Sequence, residues 1–134
     1  MKIIKFEDLE IWKLSLTITR NVYDILSKKE FNHEFELKNQ IKRAVISISS
    51  NIVEGFEKNN NNEFIRYLKI AKGSAGEVRN QIYIAFTVKQ ITKEEFDFIN
   101  ELLITLSKKI GSLIIYLETE RKHGHFKPVS LLTR

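Results

Sequence analysis

Two Glu-x-x-His pairs are the first chemistry this chain offers: Glu30 with His33, and Glu120 with His123. In four-helix bundles, two such pairs plus two further glutamates hold di-iron or di-manganese centres, all from mid-helix positions facing inward. Here one pair falls in the loop after the first helical segment. The other falls at the end of the last. Those ends lie at opposite poles of a bundle, roughly 40 Å apart at 1.5 Å rise per residue. They cannot share a site within one chain, so coincidental spacing is the plainer reading. His123-Gly124-His125 could hold a metal weakly, but no third ligand is near in sequence and a loose tail accounts for it equally.

Other constellations fail on composition or context. Cysteine is absent, which removes disulfides, thiolate zinc sites and a cysteine nucleophile. No Gly-x-Ser-x-Gly turn occurs, and the three histidines fall at loop or tail positions. Gly73-Ser74-Ala75-Gly76 lacks the preceding strand and the Gly-Lys-Ser/Thr ending of a phosphate loop. Glycines inside a helix suggest close helix–helix approach instead. No cofactor, metal, catalytic residue or small-molecule substrate is therefore expected.

A polar face on the second segment is more informative. Gln40, Arg43, Ser47, Asn51 and Glu54 are spaced by three and four, so they share one side of a helix. That side overlaps an apolar seam at Ala44, Ile48 and Gly55. Polar groups so near a seam need hydrogen-bond partners. The third segment offers Ser74, Glu77 and Gln81. One reading is a structural polar layer with Arg43 pairing Glu77 or Glu54. The other is a groove for a ligand or nucleic acid. A second cluster, Arg66, Lys69 and Lys72 with Arg79 further along, joins Lys42 and Arg43 as candidate nucleic-acid contacts.

These residues are positioned by four helical segments. The first, from about Glu7 to Lys28, carries two apolar stripes. Leu9, Trp12, Leu16, Thr19, Tyr23 and Leu26 form one; Ile11, Leu14, Ile18, Val22 and Ile25 form the other. The second, about Glu34 to Lys58, repeats Leu37, Ile41, Ala44, Ile48, Asn51 and Gly55. The third, about Asn62 to Gln90, repeats Phe64, Leu68, Ala71, Ala75, Val78, Ile82 and Ala85. The fourth, about Thr92 to Lys122, repeats Phe96, Ile99, Leu103, Leu106, Ile110, Leu113 and Leu117. Such seams suit helices crossing at about 20°. Thr92 to Glu95 reads as a capping box, Asn61 or Asn62 as a cap for the third helix, and Asn32 as a helper for the second.

Connections this short predict antiparallel sequential neighbours. The expected fold is all-α: an up-down-up-down antiparallel four-helix bundle over residues 1–122, with a flexible C-terminal tail over 123–134. One proline in 134 residues agrees with it. No stretch of about 18 residues is free of charge, so no membrane span is expected. With no signal-peptide pattern either, the cytoplasm is the expected location. The second stripe of the first helix, with Leu102, Ile104, Ile114 and Ile115 on the fourth, exceeds what one core needs. A homo-oligomer is the expected way to cover it, and a plain monomer with a broad core is the alternative.

The sequence also resembles a known family. Phe6-Glu7-Asp8-Leu9 with Trp12 resembles its opening. Leu37-Lys38-Asn39-Gln40-Ile41-Lys42-Arg43-Ala44-Val45-Ile46-Ser47-Ile48, then Asn51-Ile52-Val53-Glu54-Gly55, resembles its signature. Phe64, Leu68, Ala71-Lys72-Gly73-Ser74 and Glu77 resemble its third helix. The family is the bacterial four-helix bundle proteins, also called S23 or 23S rRNA intervening-sequence proteins, and the resemblance covers about Phe6 to Leu117. It departs at Asn32, where a proline is common, and at Val53, where alanine is. The resemblance implies a four-helix subunit of a ring-like pentamer with no established enzymatic activity. Distant relatives, the accessory proteins of diversity-generating retroelements, are basic pentamers that bind nucleic acid.

The net charge is +5. Residues 62–90 carry five basic and two acidic side chains, so the excess sits on the third helix and the chain ends. An oligomer would repeat that charge and attract a polyanion. The leading expectation is a non-enzymatic oligomer that binds RNA or DNA. The alternative is a protein–protein scaffold or accessory subunit.

Overall fold

The computed structural model describes residues 3–122, with side chains as far as Glu120. The expected tail, 123–134, lies outside the described residues, as do His123 and the His123-Gly124-His125 pair. Four α-helices and no strand occur among the described residues: α1 (Glu10–Leu26), α2 (Phe35–Glu57), α3 (Asn61–Thr87) and α4 (Lys93–Lys122).

α1 is shorter than its periodicity suggests. Leu9 takes an extended ψ of 125°, which separates a single 3₁₀ turn, Phe6–Asp8, from the helix. The buried face of α1 is Ile11, Ser15, Ile18, Val22 and Leu26. Ser15 is tolerated there because its hydroxyl donates to the Trp12 carbonyl at 2.6 Å. The other expected stripe stays partly outside: Leu16 and Tyr23 are 41% and 37% exposed.

The seams of α2, α3 and α4 form the rest of the core. All seven expected seam residues of α3 are buried, and so are six of the seven on α4, with Leu113 half-buried. α2 contributes Ile41, Ala44, Val45, Ile48, Ile52 and Gly55. Of the expected surplus on α4, Ile114 enters the core and Ile115 stays 65% exposed.

Each helix packs on its sequential neighbour, and α1 also packs on α4, closing a ring of four contacts. Side-chain contacts run in opposite sequence order on the two members of a pair. Ser47 and Ser74, then Phe56 and Phe64, join α2 to α3. Arg79 and Asn100, then Lys69 and Glu118, join α3 to α4. Lys28 and Glu95, then Glu10 and Lys109, join the α1 end of the chain to α4. These contacts are consistent with antiparallel neighbours.

The helix ends follow local chemistry. Thr92 and Glu95 form the expected reciprocal box: Glu95 N–H donates to Thr92 Oγ1 at 3.1 Å and Thr92 N–H to Glu95 Oε1 at 2.8 Å. Partial burial pushes the Glu95 carboxyl up. Hydrogen bonds from Lys28 and Thr92 outweigh that and hold it below its ordinary 4.5. The cap of α3 is Asn60 rather than Asn61 or Asn62. Its side chain accepts from Glu63 N–H at 3.0 Å, whereas Asn61 is already inside the first turn and buried. Asn32 ends a 3₁₀ turn, Lys29–Phe31, and does not cap α2. Lys89, at φ 64°, closes α3 in the left-handed region, with Gln90 N–H donating to Ala85 at 2.8 Å.

The close helix approach is not where the glycine pair suggests. Gly73 and Gly76 face open space, because both sit on the outer side of α3 away from Ala71, Ala75 and Val78. The approach is at Gly55, where a Cβ would lie 2.6 Å from Tyr67 Cβ.

Candidate nucleic-acid interface

The α2 polar face splits in two. Ser47 and Ser74 hydroxyls meet at 2.9 Å between α2 and α3. Asn51 Nδ2 donates to the Ser47 hydroxyl at 2.9 Å and to its carbonyl at 2.8 Å. These three residues form a small satisfied polar contact. The other members point outward. Gln40 bonds Glu36 on its own helix at 2.8 Å, and Arg43, Glu54 and Glu77 are exposed. Arg43 forms no ion pair with Glu77 or Glu54 among the described residues. At 100° per residue, Arg43 and Glu54 fall beyond the edge of the seam on the solvent side.

The basic residues also separate. Lys42 lies 5.1 Å from the Tyr23 ring, on the side where α1 meets α2. Arg66 is engaged locally. It donates to both Glu63 carboxylate oxygens, at 3.0 and 3.2 Å, and lies 4.5 Å from the Tyr67 ring. The Arg66 hydrogen bond lowers the Glu63 carboxyl, and Glu63 raises the guanidinium in turn. Lys69 pairs with Glu118 across to α4 at 3.3 Å.

Lys72 and Arg79 behave differently. They stand seven residues apart on α3, two turns or about 10.5 Å along the axis, on one side of the helix. Both line an open groove between α3 and α4 of ≈ 530 Å³. From α4 the groove takes Ile104, Ser107, Lys108, Gly111, Ser112 and Ile115. Arg79 is steadied by Nε donating to Asn100 Oδ1 at 3.0 Å, a neutral partner that leaves its charge uncompensated. Lys72 crosses toward α4 where Gly111 has no side chain; a Cβ there would touch Lys72 Cε at 3.4 Å. None of Lys72, Arg79 and Lys108 forms an ion pair among the described residues. Three cations therefore converge on a groove whose hydroxyl-bearing lining, Ser107 and Ser112, can donate to an anion.

Sequence reasoning misses the α4 half of this groove. The fourth segment is acidic in net count, which hides Lys108. The usable signal is the run Ile104, Lys108, Gly111 and Ile115, spaced by four, three and four on one side of α4. No group of three or more potential metal ligands gathers among the described residues. Lys28 pairs with Glu95, so the turn holding Glu30 lies beside the start of α4. Glu120 is some 25 residues further along α4, about 37 Å away.

Among the described residues the chain is a four-helix protein with three cationic side chains lining a groove between α3 and α4. The chain belongs to the 23S rRNA-intervening sequence protein family, which it matches over residues 7–112. It is also similar to a crystallised protein of unknown function from the S23 ribosomal protein family of Bacteroides thetaiotaomicron. The two share 27% identity at a TM-score of 0.71, over 78% of this chain and 97% of the other. No functionally curated protein matches the chain.

Proposed function

We propose that this chain is a non-enzymatic, cytoplasmic four-helix bundle in up-down-up-down antiparallel order. It assembles as a homo-oligomer, a pentamer by family resemblance, and binds RNA or other nucleic acid through its basic surfaces. The observation that carries the binding reading is the convergence of Lys72, Arg79 and Lys108 on one groove without carboxylate partners. Phosphate contacts of this kind give weak sequence preference and strong salt dependence.

The oligomer reading rests on apolar surface left uncovered. Tyr23 and Leu16 lie seven residues apart on one side of α1, and Ile46 is one turn beyond Lys42 on α2; all three are more than a third exposed. In a ring of contacts α1–α2–α3–α4, that side is opposite the α3–α4 groove. Association through it leaves the groove open. The same apolar side would serve a protein partner if the chain is a scaffold. No helix among the described residues is long and apolar enough to cross a membrane.

Binding of a labelled RNA, followed by anisotropy between about 50 and 200 mM salt, tests the first part. Three phosphate contacts per chain on a single strand predict a fall of roughly twentyfold across that range. No binding at the low end, or binding indifferent to salt, refutes it. Light scattering tests the second: a species of single-chain mass at micromolar concentration refutes assembly.

A further inference from the structure

We infer that the α3–α4 groove takes a single-stranded polynucleotide, with phosphates on Lys72, Arg79 and Lys108 and a base stacked on Tyr83. This rests on the nucleic-acid reading above and narrows it to one form of the polymer and one platform residue.

Width argues for a single strand. The groove is bounded by two neighbouring helices, whose axes at ordinary packing lie about 8–10 Å apart. The major groove of a duplex alone is about 12 Å across, so a duplex can rest on the helix ridges but cannot enter between them. A single strand can. Lys72 and Arg79 stand about 10.5 Å apart along α3, about three times the roughly 3.4 Å axial rise per phosphate of a stacked strand. Each therefore addresses a different phosphate.

The lining argues for bases. Ile104 and Ile115 flank the groove, and Ile115 is 65% exposed. Apolar surface gains nothing from phosphate but suits the faces of unpaired bases. Tyr83 follows Arg79 by one turn on the same side of α3, about 6 Å further along the axis. It is 47% exposed, yet its ring is held: it meets Phe96 edge-on at 4.5 Å, and Phe96 stacks on Phe86 at 5.3 Å. A half-open, anchored aromatic next to a row of cations is the arrangement by which proteins bind single strands without reading sequence. An acidic polypeptide would satisfy the cations but leave Tyr83 idle.

The test uses the full chain and a fluorescein-labelled RNA of mixed sequence, 12 nucleotides long, single-stranded or annealed to its complement. At constant salt the single strand should bind at least about tenfold more tightly than the duplex. Tyr83→Leu should weaken single-strand binding by about tenfold while leaving the salt slope intact, and Tyr83→Phe should preserve it. Lys72→Ala should reduce the slope by about 0.7. A strand carrying 4-thiouridine should photocrosslink to Tyr83 in the unaltered chain, which decides the matter even if Tyr83→Leu lowers the melting midpoint. Equal or tighter duplex binding, full binding by Tyr83→Leu, crosslinking confined to other residues, or equal competition by polyglutamate overturns this inference while leaving nucleic-acid binding standing. No binding of either RNA overturns the broader reading with it.

Discussion

Replacing a glycine by alanine should have opposite signs at different places in this bundle. At Gly55 a new Cβ would lie 2.6 Å from Tyr67 Cβ, 3.2 Å from Phe64 Cδ1 and 3.4 Å from Phe64 Cα. Carbon atoms rest at about 3.5–4.0 Å, so α2 and α3 must part locally by roughly 1 Å. Neither neighbour can swing aside, because one is a Cβ and the other a fully buried ring and its backbone. Overpacking of this kind costs about 1–3 kcal/mol, and the upper end applies against near-backbone atoms. Alanine returns about 1 kcal/mol through helix propensity. The net loss is about 2 kcal/mol, a fall in midpoint of roughly 5–10 °C for a chain of this length. Gly73→Ala and Gly76→Ala meet nothing within 4 Å, so only the propensity gain of about 1 kcal/mol remains. Thermal and urea melts of the three variants, followed by circular dichroism at equal chain concentration, provide the assay. A Gly55→Ala chain as stable as the parent, or a destabilised Gly73→Ala chain, would refute this account of the α2–α3 approach.

Other changes have defined outcomes. Lys89→Gly should stabilise by about 0.5–1 kcal/mol, since Lys89 holds φ 64° at the end of α3 where glycine carries no Cβ penalty; denaturant midpoints check it. Thr92→Ala should cost about 1 kcal/mol through loss of the α4 cap. Glu95 has a folded-state pKa below 4.5, so its stabilisation is complete above that value and is lost as pH falls through the folded pKa. The midpoint difference between the parent and Glu95→Gln should therefore shrink between about pH 6 and pH 3. Ser74→Ala should cost about 1 kcal/mol by orphaning one side of the Ser47 contact, whereas Glu77→Ala should stay within about 0.5 kcal/mol because Glu77 is exposed; paired urea melts distinguish them.

The helices were legible because their seams are long and regular. Seven residues from Phe64 to Ala85 alternate by four and three, and a pattern of that length admits one burial face. The Thr92–Glu95 box was equally plain, since both members of the contact lie within one turn. What escaped was set by relations between helices. Nothing local distinguishes Gly55, pressed on Tyr67, from Gly73 in open space. Lys108 joins Lys72 and Arg79 only through the rotation of α4 against α3, which no single helix encodes. Arg43 is exposed for the same reason, as a residue at a seam's edge turns inward or outward according to its neighbour. The Leu9 break interrupts an apolar pattern without a glycine or proline to mark it.

The order of contacts along the chain has a consequence for how the fold is reached. The α2–α3 interface joins residues close in sequence, Phe56 with Phe64 and Ser47 with Ser74. Its loop-closure entropy is small, and this hairpin can assemble early. The α1–α4 interface joins Lys28 to Glu95 and Glu10 to Lys109 across most of the chain. During synthesis, α1 appears first yet lacks its second neighbour until the last helix is made. Ile11, Ile18 and Val22 stay open to other chains for that interval. The helix made first is thus the last to be enclosed, and the one most easily exchanged between copies while they fold side by side.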